Sequence, residues 1–135
     1  MMKALLDTGV WLRRYHGLPM RPALRRFLDQ EITEFHLCPL SVAEITFKWR
    51  RGRLKGVPNP KQWVPHALEN FVLENPSAAA AQQAGQWDWD HGDLVDRVLA
   101  AIANEQNLLL VHTDTVLKKL DGFPQKYFPN VSDSK

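Results

Sequence analysis

Three short stretches, "KALLD" (residues 3–7), "FHLCP" (35–39) and "NLLLVH" (107–112), carry apolar runs that stop at a polar residue or a proline. Apolar runs of this length, without the alternation of a half-exposed strand, fit strands buried on both faces. Such strands belong to parallel sheets covered by helices on each side. "NFVLEN" (70–75) is a weaker fourth candidate. Helical patterns lie between them: "RPALRRFLDQEI" places Leu24, Phe27, Leu28 and Ile32 on one face, and "SVAEITFKWRRGRL" does the same with Val42, Ile45 and Trp49. "SAAAAQQAGQ" predicts a short helix capped by Ser77, because alanine has the highest helix propensity. "KGVPNPKQWVP", with three prolines, reads as a loop. Strands alternating with helices predict an α/β domain.

The length of 135 residues suits one domain, expected over residues 1–131, with "SDSK" (132–135) as a frayed tail. At 44% hydrophobic and 24% charged residues, the composition is that of a soluble globular protein. No apolar stretch approaches the roughly 20 residues that span a bilayer, so no membrane association is expected. The stretch after Lys3 is too short and too acidic for a signal peptide, which predicts a cytoplasmic protein. Cys38 is the single cysteine, so an intramolecular disulfide is impossible and a thiolate metal site is not suggested. The net charge of +2 is too small to announce a nucleic-acid binder. Its distribution says more, since "KWRRGRLK" packs Lys48, Arg50, Arg51, Arg53 and Lys55 into one run that would otherwise be a solvated helix face.

Acids stand where strands end or helices start: Asp7, Glu44 in "SVAE", Asp93 and Asp96 in "GDLVDR", and Asp114 in "VHTD". Taken singly, each has an ordinary account. Ser41 and Glu44 match a capping box, Asp93 and Asp114 suit N-caps, and an acid in a first helical turn gains about 0.3–1 kcal/mol from the helix dipole. Taken together they mean more, because a parallel sheet gathers its strand ends and the following helix starts at one edge, where ligands bind. Two like charges 4 Å apart repel by about 4 kcal/mol at an effective dielectric near 20, so a cleft of carboxylates calls for a counter-charge. An oxygen-only donor set points to Mg²⁺ or Mn²⁺ rather than zinc.

In that order, "LLDTGVWL", "SVAEITFKWRRGRL", "HGDLVDRVLAAIA" and "LLLVHTD" resemble the PIN-domain ribonucleases, and among them the VapC-type toxins of toxin–antitoxin pairs. The resemblance implies a PIN-like three-layer fold, with a central, mainly parallel sheet of four to five strands flanked by helices. It implies a metal-dependent endoribonuclease that leaves 5′-phosphate and 3′-hydroxyl ends, forms a homodimer and is held inactive by a small antitoxin protein. Carried over by position, Asp7, Glu44, Asp96 and Asp114 are the catalytic, metal-binding acids, with Asp93 an additional metal-site acid. The chain departs from the pattern at Leu94, where relatives often carry proline, and at His112, where many carry serine or threonine.

Asp7 and Asp96 are expected to anchor the principal ion, with Glu44 and Asp114 completing its shell or holding a second. Arg50, Arg51, Arg53 and Lys55 are the candidates for gripping RNA phosphates. Trp87 and Trp89 are available to stack on bases or, more ordinarily, to pack; Trp11 and Trp49 suit core or dimer contacts. Two rivals remain. An aspartyl phosphatase with Asp7 as nucleophile would need a second carboxylate where Gly9 stands. The other is a catalytically weak PIN-like module that binds RNA or protein.

Overall fold

A computed structural model describes residues 2–131; the tail expected at 132–135 lies outside the described residues. The sheet begins at β1 (Met2–Leu6), and Asp7 turns the chain into α1 (Thr8–His16). Pro22, suited to the first helical turn by its fixed φ and missing N–H, starts α2 (Pro22–Gln30), which leads to β2 (Ile32–Leu37). Next come α3 (Pro39–Arg50), α4 (Pro60–Ala67) and the short β3 (Phe71–Leu73). The chain continues as α5 (Ala78–Gln86), α6 (Leu94–Gln106), β4 (Leu109–His112), a single 3₁₀ turn and β5 (Gln125–Tyr127).

All strand pairs are parallel, in the order β3-β2-β1-β4-β5. The direction of winding reverses between β1 and β4, and the crevice at their carboxyl ends is where an open α/β sheet binds ligands. Both faces are covered. Ala4 and Leu6 of β1 join Val111 of β4 in a core with Trp11, Leu24, Ile45 and Trp63, whereas Leu5 and Leu110 face the other way onto Leu99, Ile102 and Ala84. Alternate side chains of one strand thus serve two cores, which is why residues 4–6 show no polar position. A fully buried leucine or isoleucine contributes about 1.5–3 kcal/mol by leaving water. No helix among the described residues is long and apolar enough to cross a membrane.

Two expectations about local structure fail. The proline-rich segment is only partly loop: Pro60 occupies the first turn of α4, Asn59 accepts from the Lys61 N–H (3.1 Å), and buried Trp63 and Ala67 anchor the helix despite Pro65 within it. Ser41 and Glu44 form no capping box. Pro39 begins α3 with Cys38 at the cap, so Ser41 falls inside the first turn, fully buried, and its Oγ accepts from Thr8 Oγ1 (2.9 Å). Other local readings hold: Ser77 accepts from the Ala80 N–H at the start of α5, and "NFVLEN" contains β3. Trp11 is core, and Trp49 is half-buried on α3.

Candidate functional site

Asp7 both ends a strand and opens a helix. Its N–H donates to the Val111 carbonyl (3.1 Å), holding β1 against β4, and its Oδ1 accepts from the Val10 N–H (2.7 Å) as the cap of α1. Asp93 caps α6 by accepting from the Asp96 N–H (3.2 Å), which sets Asp96 in the first turn. Leu94, where relatives have proline, is the first residue of that helix, a position that proline tolerates well. Asp114 follows β4 and accepts from the N–H groups of Val116 (2.7 Å) and Leu117 (3.0 Å). Glu44, one turn into α3, pairs with Lys48 at 3.1 Å. These four segments bring Asp7, Glu44, Asp93, Asp96 and Asp114 into one cleft of about 250 Å³, shared with Thr8, Gly9, Lys48 and Thr113. A larger cavity of about 490 Å³ lies beside Arg14, Tyr15 and Phe35, but it gathers no comparable set of acids.

The crowding shows in the proton affinities. Burial pushes Asp7 up to about 6 and the Glu44 charge adds to it, against the backbone N–H groups of Val10 and Thr113 and the charge of Arg13. Burial likewise pushes Asp96 up to about 7, helped by the charges of Asp93, Asp7 and Asp114 and opposed by its bond to His91. Burial also acts to raise Asp114, but its two backbone donors, a hydrogen bond from Asp96 and the His91 charge outweigh it and hold the group below the usual carboxylate value. The cleft stores electrostatic repulsion that a cation would relieve.

His91 escaped the sequence reading. Its Nε2 lies 2.8 Å from Asp96 Oδ2 and 3.6 Å from Asp114 Oδ2. His91, Asp96 and Asp114 each offer one ligand atom within 4.8 Å of the others, so a nitrogen stands beside the oxygen donors that the sequence singled out. Arg97 fixes the loop that carries this histidine. It donates from Nε to Ala84 O (2.7 Å), from Nη1 to Trp89 O (3.2 Å) and His91 O (3.0 Å), and from Nη2 to Trp87 O. Trp87 and Trp89 stack on each other with centroids 4.0 Å apart and lean on Phe123, so they pack rather than stand free. His112 is structural: completely buried, it accepts the Asp114 N–H at Nδ1 (3.1 Å) and therefore donates from Nε2 to Gln125 Oε1 (2.7 Å).

The basic run divides. Arg53 and Lys55 line a groove of about 340 Å³ with Arg13 and Lys48, and this groove shares Thr8, Gly9 and Lys48 with the acidic cleft. Arg50 and Arg51 line neither; both are exposed near the end of α3, with Arg51 over the Phe47 ring.

The sequence pattern of the PIN domain matches residues 4–123. The chain belongs to the PIN-domain family. This PIN domain is similar in structure to VapBC2 from Rickettsia felis bound to a DNA fragment from their promoter (TM-score 0.68, 15% identity, 94% of this chain and 99% of that one). It is also similar to a toxin–antitoxin complex from Klebsiella pneumoniae (TM-score 0.65, 18% identity, 88% and 93%) and to FitAcB from Neisseria gonorrhoeae (TM-score 0.59, 22% identity, 86% and 90%). Identities this low speak for a shared fold. No protein of curated function matched the sequence.

Proposed function

We propose that this PIN domain is an endoribonuclease that uses Mg²⁺ or Mn²⁺ to hydrolyse RNA phosphodiester bonds, and that it is the toxin of a toxin–antitoxin pair. The observation that carries the reading is the meeting of five carboxylates in one cleft at the switch point of the sheet, two of them raised to near neutrality by burial and mutual repulsion. A divalent cation would offset both the burial and the mutual repulsion that disfavour the charged forms.

The side chains fit a divalent ion. Asp7 and Asp96 would anchor it, Glu44 and Asp114 would complete its shell or serve a second ion, and Asp93 would stand beside them. The His91 nitrogen within reach of Asp96 and Asp114 suits Mn²⁺ better than Mg²⁺. When bound, such an ion lowers the pKa of its water and offsets charge growing on the phosphate. The protein's own groups do the rest. One carboxylate accepts a proton from the attacking water, Lys48 restrains Glu44, and Arg53 and Lys55 hold phosphates of the strand.

The structural relatives include VapBC2 and a toxin–antitoxin complex, which supports a small antitoxin protein as partner. A cytoplasmic homodimer completes the proposal, and the exposed side chains Leu40, Phe47 and Leu94 are available to a partner or a second copy. The test is cleavage of single-stranded RNA by the purified chain in Mn²⁺ or Mg²⁺. Cleavage should stop with EDTA and in Asp7→Asn. Metal binding without cleavage of any RNA would favour a binding module.

A further inference from the structure

Arg13 sits one helical turn after Gly9 on α1, half-buried, and its guanidinium makes no hydrogen bond or ion pair among the described residues. Its Nη1 lies 3.2 Å from where a side chain on Gly9 would begin, and the next atom facing that point is Asp7 Oδ1 at 3.9 Å. A long helical side chain leans back toward the N-terminus, so Arg13 reaches across the slot that glycine leaves open. That slot is a boundary between two parts of the surface. The acidic cleft lies on one side and the groove of Arg13, Lys48, Arg53 and Lys55 on the other, with Thr8, Gly9 and Lys48 common to both.

An RNA strand that brings one phosphate to the acids must place its neighbouring phosphate close by, where uncompensated carboxylates would repel it. A planar guanidinium with unspent donors is the group best shaped to receive that phosphate on two oxygens. Were Arg13 simply the partner of Asp7, its nitrogens would lie within ion-pair distance of that carboxylate, as Lys48 lies from Glu44. We infer that Arg13 is a positioning residue that grips the phosphate next to the scissile one, in a slot kept clear by Gly9, while Arg53 and Lys55 hold the strand beyond. This rests on the nuclease reading and names how its substrate is aligned.

The experiment compares the native chain with Arg13→Ala, Arg13→Lys and Gly9→Ala, using a short single-stranded oligoribonucleotide, with cleavage measured in Mn²⁺ and binding measured in an Asp7→Asn background. Arg13→Ala should raise KM on the order of tenfold, as loss of a charged hydrogen bond does, with kcat nearly held. The slope of log affinity against log salt should become shallower by about 0.7, the value for one phosphate contact on a single strand. The melting shift produced by Mn²⁺ should persist, because Arg13 is no ligand. Arg13→Lys should keep the salt slope and recover part of the KM.

Gly9→Ala is the milder variant, because alanine favours the helix and leaves every charge in place, and its methyl group, 3.2 Å from Nη1, asks the guanidinium to shift by only a few tenths of an ångström. It should raise KM less than Arg13→Ala does. Unchanged KM and salt slope in Arg13→Ala would overturn the inference. So would a loss of Mn²⁺ affinity with KM unaltered, which would make Arg13 a counter-charge for Asp7, or weaker binding of an acidic protein partner with RNA kinetics intact. If the native chain neither binds nor cleaves RNA, the nuclease reading itself fails and this inference falls with it.

Discussion

Among the described residues two histidines meet two carboxylates each, and the arrangements differ. At His36, on β2, each ring nitrogen has its own partner: Nε2 lies 2.6 Å from Glu34 and Nδ1 lies 2.7 Å from Glu74, with the Lys3 ammonium 3.7 Å from Glu34. At His91 a single nitrogen is shared between Asp96 and Asp114, in a cleft that also holds Asp7, Glu44 and Asp93. The first cluster satisfies its polar groups and stitches strand to loop. The second has more negative charge than its neighbours can neutralise, and that surplus distinguishes a site from a structural ion cluster.

Exchanging the roles of the two clusters by mutation gives the largest expected effects. Asp96→Asn should lower RNA cleavage by at least about a hundredfold, the upper end of the roughly 10–100-fold loss typical of outer-sphere partners of a metal ligand. It should leave the metal-free fold at least as stable as before at neutral pH, since a repelling charge is gone. His36→Ala should do the opposite. It strands Glu74 without its partner and should cost about 1–3 kcal/mol in chemical denaturation, with the metal response intact.

The pH dependence sharpens the comparison next. Asp7 and Asp96 have folded-state values of about 6 and about 7, above the 3.8 of an unperturbed aspartate. Between about pH 4 and 7 the metal-free folded chain therefore binds more protons than the unfolded chain, and its stability falls as pH rises. The loss across that window should be at least about 2 kcal/mol in melting experiments, because a tenfold rise in proton affinity at one group corresponds to about 1.4 kcal/mol. Saturating Mn²⁺ should flatten the slope. The smallest effect separates the two halves of the basic run: Arg53→Ala with Lys55→Ala should raise KM and weaken the salt dependence of RNA binding, and Arg50→Ala with Arg51→Ala should do so much less.

Much of this was legible in the sequence because its signals were local. β1, β2 and β4 announce themselves through apolar runs such as Ala4–Leu5–Leu6 that serve two cores at once. The five acids were legible because each is placed by a nearby strand end or helix start. The ordinary account of Glu44 is the one that failed: the capping box assumed that α3 begins at Ser41, and Pro39 begins it earlier. β5 went unread because Gln125, Lys126 and Tyr127 lack an apolar pattern and gain their place only by pairing with β4. His91 was missed because nothing adjacent to it signals a ligand. Its position depends on Arg97 reaching carbonyls on either side of two stacked indoles, a contact set that only the folded chain assembles.

The central claim, that the surplus negative charge of the cleft is there to hold a divalent ion, meets its most direct test in thermal melting with added Mn²⁺. At a concentration about 100 times its Kd, the ion should add about 2.7 kcal/mol to the stability of the native chain, and His36→Ala should gain as much from its lower starting point. Asp7→Asn should gain nothing. An equal gain in Asp7→Asn, or no gain in the native chain, would contradict the account.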